Sequence, residues 1–517
     1  MNKARRQFLQ RTAGAVSLGL AGVPSLGGLS AFAGEPPPKK VRFGPDIEPI
    51  VRLIEETPRE RCVDVFVDQL RGGLPYRRFL AAVFFACVRR AYSHHEVYKI
   101  HAVHQVSMDV RPEERLLPLF WAINAFKQRQ EDFPGDPLRV LNGSLPKPDQ
   151  AAAELTEAAE RYDQERAERA IVALARNQGA RQTMEQLWLY GCRNGGAGGH
   201  GAISVSNCFR ALEIIGWQEA EPGLRFVVQD LFHFGWLKPD ESLRPNTALA
   251  EQILNKLPAG WAGSQSDRPA TRDLHALIRN GKPTEACDLA AKQLQSGVAA
   301  QAIWDAVHLA TAELMVRHSS GWGLASRPLH SNTSTNALHY AFRTSSSPRT
   351  RLLVLLQAVA WAASKTGGDL AGKGLRDMSI TELGGVALAA GSEKTVAEIF
   401  ELVPPRTYRW DPKAGAVLTY GKREDADEAC RKVFALTSER PDAVAPFVQT
   451  ARSWLCRKAS NDHHEYKFLA AILEDAALVS TEWQPHVLAA SVHYFHGNQT
   501  PDNPVIEQAR DALRRKT

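Results

Sequence analysis

Histidine is the residue type that sets this 517-residue chain apart, because its histidines recur in pairs near the starts of predicted helices. Ser93-His94-His95-Glu96 is followed by His101 and His104, and Asp462-His463-His464-Glu465 is followed by Lys467. A neutral imidazole can ligate a metal or accept a substrate proton. In the first turn of a helix, the positive end of the helix dipole favours this neutral form. Both segments therefore have residues suited to a metal site or to acid–base chemistry.

The same spacing is that of a capping box. In this motif the Ser or Asp side chain accepts from a first-turn N–H, and the Glu three residues later accepts from the N–H of the cap. On one unbroken helix, His101 and His104 share a face, which His94 roughly joins, whereas His95 lies about half a turn from His104. The sequence leaves a shared polar site and two ordinary helix starts open. The candidate metal ligands are His94, His101 and His463.

Two further histidines stand at the edges of predicted helices. His200 follows the glycine-rich run 195–199, and His330 lies three residues before Thr333. A helix N-terminus after a glycine-rich loop suits an anion. Gly196-x-Gly198-x-x-Gly201 also has the spacing of a dinucleotide-binding loop, but residues 184–190 before it predict a helix instead of the strand that such a loop requires.

The elements that carry these histidines are predicted to be helices. Apolar residues recur at helical spacing over 80–88, 212–228 and 352–359, and the composition favours helix over long stretches. The exception is 407–420, where two short runs flank a Pro- and Gly-containing turn and predict a small β-hairpin. Breaks are predicted near 134–148, 258–270, 318–332 and 401–424.

The predicted fold class is therefore all-α, with one large multi-helix domain over residues 49–517 and a weak internal boundary near 260–270. Residues 34–48 form a Pro- and Gly-rich leader to this domain. No segment after the first 33 residues reaches 18 uninterrupted apolar residues, so no membrane span is predicted. The seven cysteines form no Cys-x-x-Cys pair, which argues against c-type haem, zinc ribbons and thioredoxin chemistry.

Residues 1–33 resemble a twin-arginine signal peptide. Arg5-Arg6-Gln7-Phe8-Leu9 matches the paired-arginine motif, an apolar stretch follows over 12–29, and Ala31-Phe32-Ala33 is a signal-peptidase pattern. The twin-arginine translocation machinery carries folded proteins, which often hold a cofactor already. We therefore expect a periplasmic or extracellular protein.

Charge narrows the function classes. The formal net charge of +6 includes four basic residues of the signal, and without Lys3, Arg5, Arg6 and Arg11 it is +2. So small a charge argues against a nucleic-acid partner or a membrane-surface protein. A small-molecule substrate is the partner that the sequence favours.

Four segments, taken together, resemble the questin oxidase-like family. The clearest is Leu329-His330-x-x-Thr333-x-x-x-Ala337-Leu338 with Leu355-Leu356-Gln357-Ala358 after it. The second is His464-Glu465-Tyr466-Lys467-Phe468-x-x-Ala471. Looser matches are the pair His95 and His104, and His200 with Ala202 and Ile203. The segments follow the family's order and span most of the chain.

The resemblance implies an all-helical oxidoreductase related to enzymes of Baeyer–Villiger-type ring cleavage on aromatic polyketides, which use NADPH and oxygen. It implies a pocket between helices lined by His95, His104, His200, His330 and His464. Lys467 would supply a positive charge for an oxyanion and Thr333 would orient a ligand oxygen. Export conflicts with NADPH, so the sequence leaves the electron source open and allows a bound metal. The alternatives are a non-catalytic helical scaffold or binding protein, or a metal-binding protein of the cell envelope.

Overall fold

Helices dominate the computed structural model, which describes residues 41–90, 94–132, 138–318, 326–366, 375–388, 391–411 and 415–515. The predicted signal and residues 34–40 of the predicted leader lie outside these residues. The described chain belongs to one compact unit. The segment near the predicted boundary at 260–270 is a loop between two helices of that unit.

The N-terminal half supplies twelve of the described helices. They are α1 (Glu48–Glu56), α2 (Cys62–Arg71), α3 (Tyr76–Arg90), α4 (His94–Tyr98), α5 (Ile100–Asp109), α6 (Leu117–Asp132), α7 (Ala151–Glu160), α8 (Gln164–Asn177), α9 (Ala180–Gly191), α10 (His200–Ile215), α11 (Ala220–His233) and α12 (Leu243–Ile253). A short 3-10 helix, Gly196–Gly199, directly precedes α10.

The C-terminal half contains the three longest of the described helices. The elements are α13 (Arg268–Arg279), α14 (Pro283–Gln295), α15 (Ala300–Arg317), α16 (Ser326–Thr344), α17 (Pro348–Thr366), α18 (Ser392–Leu402), β1 (Arg406–Asp411), β2 (Gly415–Tyr420), α19 (Arg423–Glu439), α20 (Val444–Lys458), α21 (His463–Leu478), α22 (Gln484–Ser491) and α23 (Pro504–Arg514). The all-α prediction is confirmed. The predicted hairpin is also present, because β1 and β2 pair antiparallel with Arg406 opposite Tyr420.

Several helices begin where the sequence provides a cap. Asp163, Asp267 and Asn503 each accept a backbone N–H of the first turn of α8, α13 and α23, respectively. One predicted break was placed too far along the chain: the loop expected over 318–332 gives way to α16 already at Ser326. His330 consequently lies one turn inside α16, not ahead of it.

One continuous apolar core runs through the described helices from Ile47 to Ala512. Trp121, Trp304 and Trp483 are among its largest fully buried side chains. All seven cysteines are buried free thiols, which suits their role as small apolar residues of this core. Within the described ranges, no helix has both the length and the apolar character needed to cross a membrane.

The helix α16 lies in the middle of the bundle, where it packs against α10, α15, α17 and α21. It is also the most polar of the central helices, and its seven buried polar residues are Ser331, Asn332, Thr333, Ser334, Thr335, Asn336 and His339. Burying polar groups is costly unless they are hydrogen-bonded. Asn332 and Asn336 meet this condition by donating to the two carboxylate oxygens of Asp475 on α21, at 2.6 and 2.8 Å.

Buried neutral histidines make the fold acid-sensitive, and His486 on α22 offers a test away from any candidate site. Burial, with Arg268 and Arg272 nearby, lowers the pKa of His486 from 6.5 to about 4. Between these values the unfolded chain binds a proton that the folded chain does not, so stability falls as pH falls, by about 1.4 kcal/mol per pH unit.

We predict that His486→Gln flattens the decline of the unfolding free energy between pH 6.5 and 4 by about this slope. The measurement is denaturant unfolding across this pH range. Data at pH 7.5, where the native and the unfolded imidazole are both mostly neutral, isolate the packing cost of the substitution. Equal slopes for the two proteins would contradict the prediction.

Candidate functional site

Four of the predicted site histidines meet, although each lies on a different helix. The ring centroids are 5.1 Å apart between His95 and His200, 4.8 Å between His200 and His330, 5.8 Å between His330 and His464, and 4.5 Å between His464 and His95. The four imidazoles thus form a closed circuit contributed by α4, α10, α16 and α21. We call these four residues and His94 the histidine cluster.

His94 lies next to His95 in α4 and also joins the cluster. Its ring lies 4.2 Å from that of His95 and 5.1 Å from that of His200. A turn at Lys99 separates α4 from α5, so the two helices are not the continuous helix assumed from the sequence. Both His94 and His95 lie in α4, before this turn.

The break also removes two predicted residues from the site. His104, on α5, hydrogen-bonds to the Tyr76 hydroxyl through Nδ1 at 3.2 Å instead of joining the cluster. His101 Nδ1 lies 3.1 Å from the Tyr98 carbonyl oxygen, and its Nε2 lies 3.3 Å from Arg210 Nη1. The expectation that His104 shares the site is therefore corrected. The His463 side chain lies outside the described residues.

Lys467 lies beside the cluster, as its position one turn after His464 indicated. Its Nζ is 3.0 Å from His95 Nδ1, and it is 1% exposed. Burial lowers the pKa of Lys467 from 10.5 to about 7. The Thr333 hydroxyl donates to the Leu329 carbonyl within α16 at 2.9 Å.

Of the capping box predicted at the start of α21, only the contact made by Asp462 forms. Asp462 caps α21 by accepting from the His464 N–H at 2.8 Å, and the same oxygen lies 2.8 Å from His464 Nδ1. Glu465 instead accepts from the Ser460 N–H at 2.8 Å and lies 2.8 Å from His496 Nε2. Asp462 therefore both caps the helix and orients the imidazole of His464.

The glycine-rich loop lets α10 approach α16. A Cβ atom on Gly198 would lie 2.6 Å from the His330 ring, and one on Gly199 would lie 2.7 Å from Ser334. Both glycines have positive φ, +79° and +71°, which other residues rarely adopt. The loop follows the helix α9, so it lacks the preceding strand of a dinucleotide-binding loop.

Aromatic residues that the sequence analysis missed form one wall of the cluster. Trp236 stacks on His200 with a centroid distance of 5.3 Å and an interplanar angle of 11°. Phe234 lies 4.6 Å from both Trp236 and His94, and it is 36% exposed. The Phe-Gly-Trp run after α11 was the available signal, but nothing local connects it to histidines on other helices.

Lys365 is a second missed residue. It lies on α17 and donates to the Ser334 hydroxyl at 2.7 Å, next to the glycine loop. Burial lowers its pKa from 10.5 to about 7. Lys365 also contributes to the lowered pKa of His330, which places its charge close to the cluster.

The imidazoles of the cluster favour their neutral form. Burial is the first cause that holds the pKa of His94 and His330 well below 6.5, and neighbouring histidines and Lys467 add to it. The pKa of His464 is lowered for the same first reason. Among the described residues, His330 Nε2 is buried without a hydrogen-bond partner. A polar atom in this state can accept from a ligand.

Three members of the cluster can hold a metal ion by geometry. His94, His95 and His200 each present one nitrogen, and the three atoms lie within 4.8 Å of one another. Next to His464, a narrow cavity is lined by Leu329, Arg406, His464, Glu465, Phe468, Leu469 and Tyr494. A larger cleft elsewhere is lined by no histidine; its lining residues include Arg111, Arg510 and Arg514.

Comparison of the chain with protein-family models, with curated proteins and with solved structures gives no significant match. The function must therefore be argued from the histidine cluster itself.

The glycine loop predicts a mutational effect. Gly198→Ala adds a methyl group that clashes with His330 and places Ala at positive φ. The matched control is Gly260→Ala, at φ +83° with no atom within 4 Å of the added Cβ. We expect the control to cost about 1–2 kcal/mol from backbone strain, and Gly198→Ala to cost a further 1–3 kcal/mol or so from overpacking. Denaturant unfolding measures both, and equal costs would contradict the packing argument.

Proposed function

We propose that this protein is an exported oxidoreductase, similar to the questin oxidase-like enzymes, that acts on a small aromatic compound at the histidine cluster. One observation carries the proposal. The four sequence segments of the resemblance span residues 93–471, and each of them contributes a histidine to one closed circuit of rings. If these histidines were only unrelated core residues, there would be no reason for them to meet in one place.

The substrate class follows from the surroundings of the cluster. Trp236 and Phe234 stack at 4.6 Å with an interplanar angle of 17°, and Phe234 reaches the surface. The partly exposed ring of Phe234 can bind a planar ring by offset stacking, whereas Trp236 is buried and stacks on both His200 and Phe234. His330 Nε2 and the ammonium of Lys467 offer an acceptor and a donor for oxygen substituents. A hydroxylated aromatic compound would pack its ring against the aromatic wall and hydrogen-bond its oxygens to His330 and Lys467.

Each of the chain's own groups then has a role in turnover. The imidazole of His330 accepts a hydrogen bond from a substrate hydroxyl. Lys467 stabilises negative charge that develops on a substrate oxygen, and its fixed position beside His95 means that little reorganisation is needed. His464 is oriented by the carboxylate of Asp462. The glycine-rich loop lacks the strand of a dinucleotide site, so no step is assigned to NADPH.

The test is turnover of a panel of hydroxylated polycyclic aromatic compounds, followed by oxygen uptake and product mass. One arm contains reduced nicotinamide and the other does not. We expect His330→Phe and His464→Phe, which keep an aromatic ring but remove both nitrogens, to lower kcat/KM by about 100-fold or more.

His104→Phe is the matched control, because His104 lies outside the cluster on α5. We expect it to retain activity within a few-fold. If the wild-type protein neither binds nor converts any member of the panel, the scaffold alternative prevails. Full activity in both cluster variants would equally overturn the proposed site.

Export is a separate part of the proposal and is supported by residues 1–33 alone. Twin-arginine signals depend on the arginine pair. We predict that replacing Arg5 and Arg6 by Lys abolishes delivery of the protein to the periplasm of a bacterial host, whereas Arg11→Lys, outside the pair, does not. Cell fractionation with immunodetection measures this. Undiminished export of the double variant would contradict the prediction.

A further inference from the structure

We propose that His94, His95 and His200 form a binding site for one divalent late first-row transition-metal ion. The inference deepens the proposed function, but metal binding itself does not depend on it. Only the role of the ion in turnover rests on the oxidoreductase proposal.

The spacing of the ligand atoms supports the site. Zinc–imidazole bonds of 2.0–2.1 Å place ligand nitrogens roughly 3.3 Å apart in a tetrahedral site. The three nitrogens lie within 4.8 Å of one another, so they need to close by roughly 1.5 Å at most.

The rings are also oriented before a metal binds. His200 stacks on Trp236, and the edge of His94 meets Phe234 at 4.6 Å with an interplanar angle of 80°. His95 is held by Lys467 at 3.0 Å. Each ligand thus has a neighbour that restricts the orientation of its ring.

The ligand set selects the class of ion. Imidazole nitrogens suit zinc, copper, nickel and iron, whereas calcium and magnesium prefer oxygen. No carboxylate or thiolate belongs to the set. Three protein ligands leave a coordination position for water or a substrate oxygen, as in catalytic zinc sites. His330, 4.8 Å from His200 between ring centroids, would lie at the edge of that open position.

One charge opposes binding. Lys467 lies against His95, so its ammonium form repels a cation. An ion of high intrinsic imidazole affinity is therefore favoured, and among divalent ions copper ranks highest, with zinc and nickel close behind.

The experiment uses the mature chain without substrate. Zinc retained after dialysis is counted by elemental analysis, and Co²⁺ titration reports imidazole coordination through its visible absorption. The variant is His200→Phe, which keeps a ring against Trp236 and removes both nitrogens. His94→Phe is a second variant at a half-buried position, in case the first fails to fold. His104→Phe is the control.

We expect one ion per wild-type chain and affinity weakened by about 100-fold or more in both cluster variants, with the control unchanged. Saturating zinc should raise the Tm of the wild type and of the control only. A wild-type chain that binds no ion, or cluster variants that bind as tightly as the wild type, would overturn the site. If the wild-type chain turns over substrate but binds no ion, the metal site is overturned and the proposed function stands. If it binds one ion but turns over no substrate, the proposed function is overturned and the metal site stands.

Discussion

The rest of the site depends on the hydrogen bonds that the buried carboxylate of Asp475 accepts from α16. This carboxylate lies in the core between α16 and α21, where an unpaired charge would be severely destabilising. Asn332 and Asn336 donate to its two oxygens, one from each of two successive turns of α16. Both hydrogen bonds form only when the two amides of α16 lie opposite the Asp475 oxygens. This contact therefore fixes the register between α16 and α21.

The neighbouring ion pair extends the same constraint to α10. Arg210 on α10 donates to Glu474 at 2.8 Å and to the Asn336 side-chain oxygen at 3.1 Å. Three helices are thus tied together by charged and amide groups. The histidines of α10, α16 and α21 lie nearer the N-terminal ends of these helices, and their convergence follows from the same alignment.

Much of the fold could be predicted from the sequence, because helical periodicity is a local property. Residues 80–88 in α3 and 352–359 in α17 show it clearly, and the hairpin at 406–420 follows from its turn, whereas the stretch 212–228 is divided between the end of α10 and α11. The start of α16 was placed too late because its polar residues resemble a loop. In three dimensions these residues are buried against Asp475, a partner about 140 positions away that no local pattern indicates.

The candidate site was predictable only in part, for related reasons. The family resemblance implied a site with His95, His200, His330, His464 and Lys467, and the structure places these residues together. The resemblance could not show that a turn at Lys99 diverts His104 towards Tyr76. Trp236 and Lys365 were missed because an aromatic residue or a lysine has no distinctive local pattern, and only tertiary packing brings them to the cluster.

The circuit of imidazoles has a consequence for the order of events during biosynthesis. Its members lie far apart along the chain, and the last of them, on α21, is translated near the end of synthesis. Contacts with such large sequence separation form late, since long loops must close first. The cluster therefore cannot exist on a nascent chain that still lacks α21. Any ligand that requires all four rings must be acquired after synthesis is essentially complete, by a chain that has already folded.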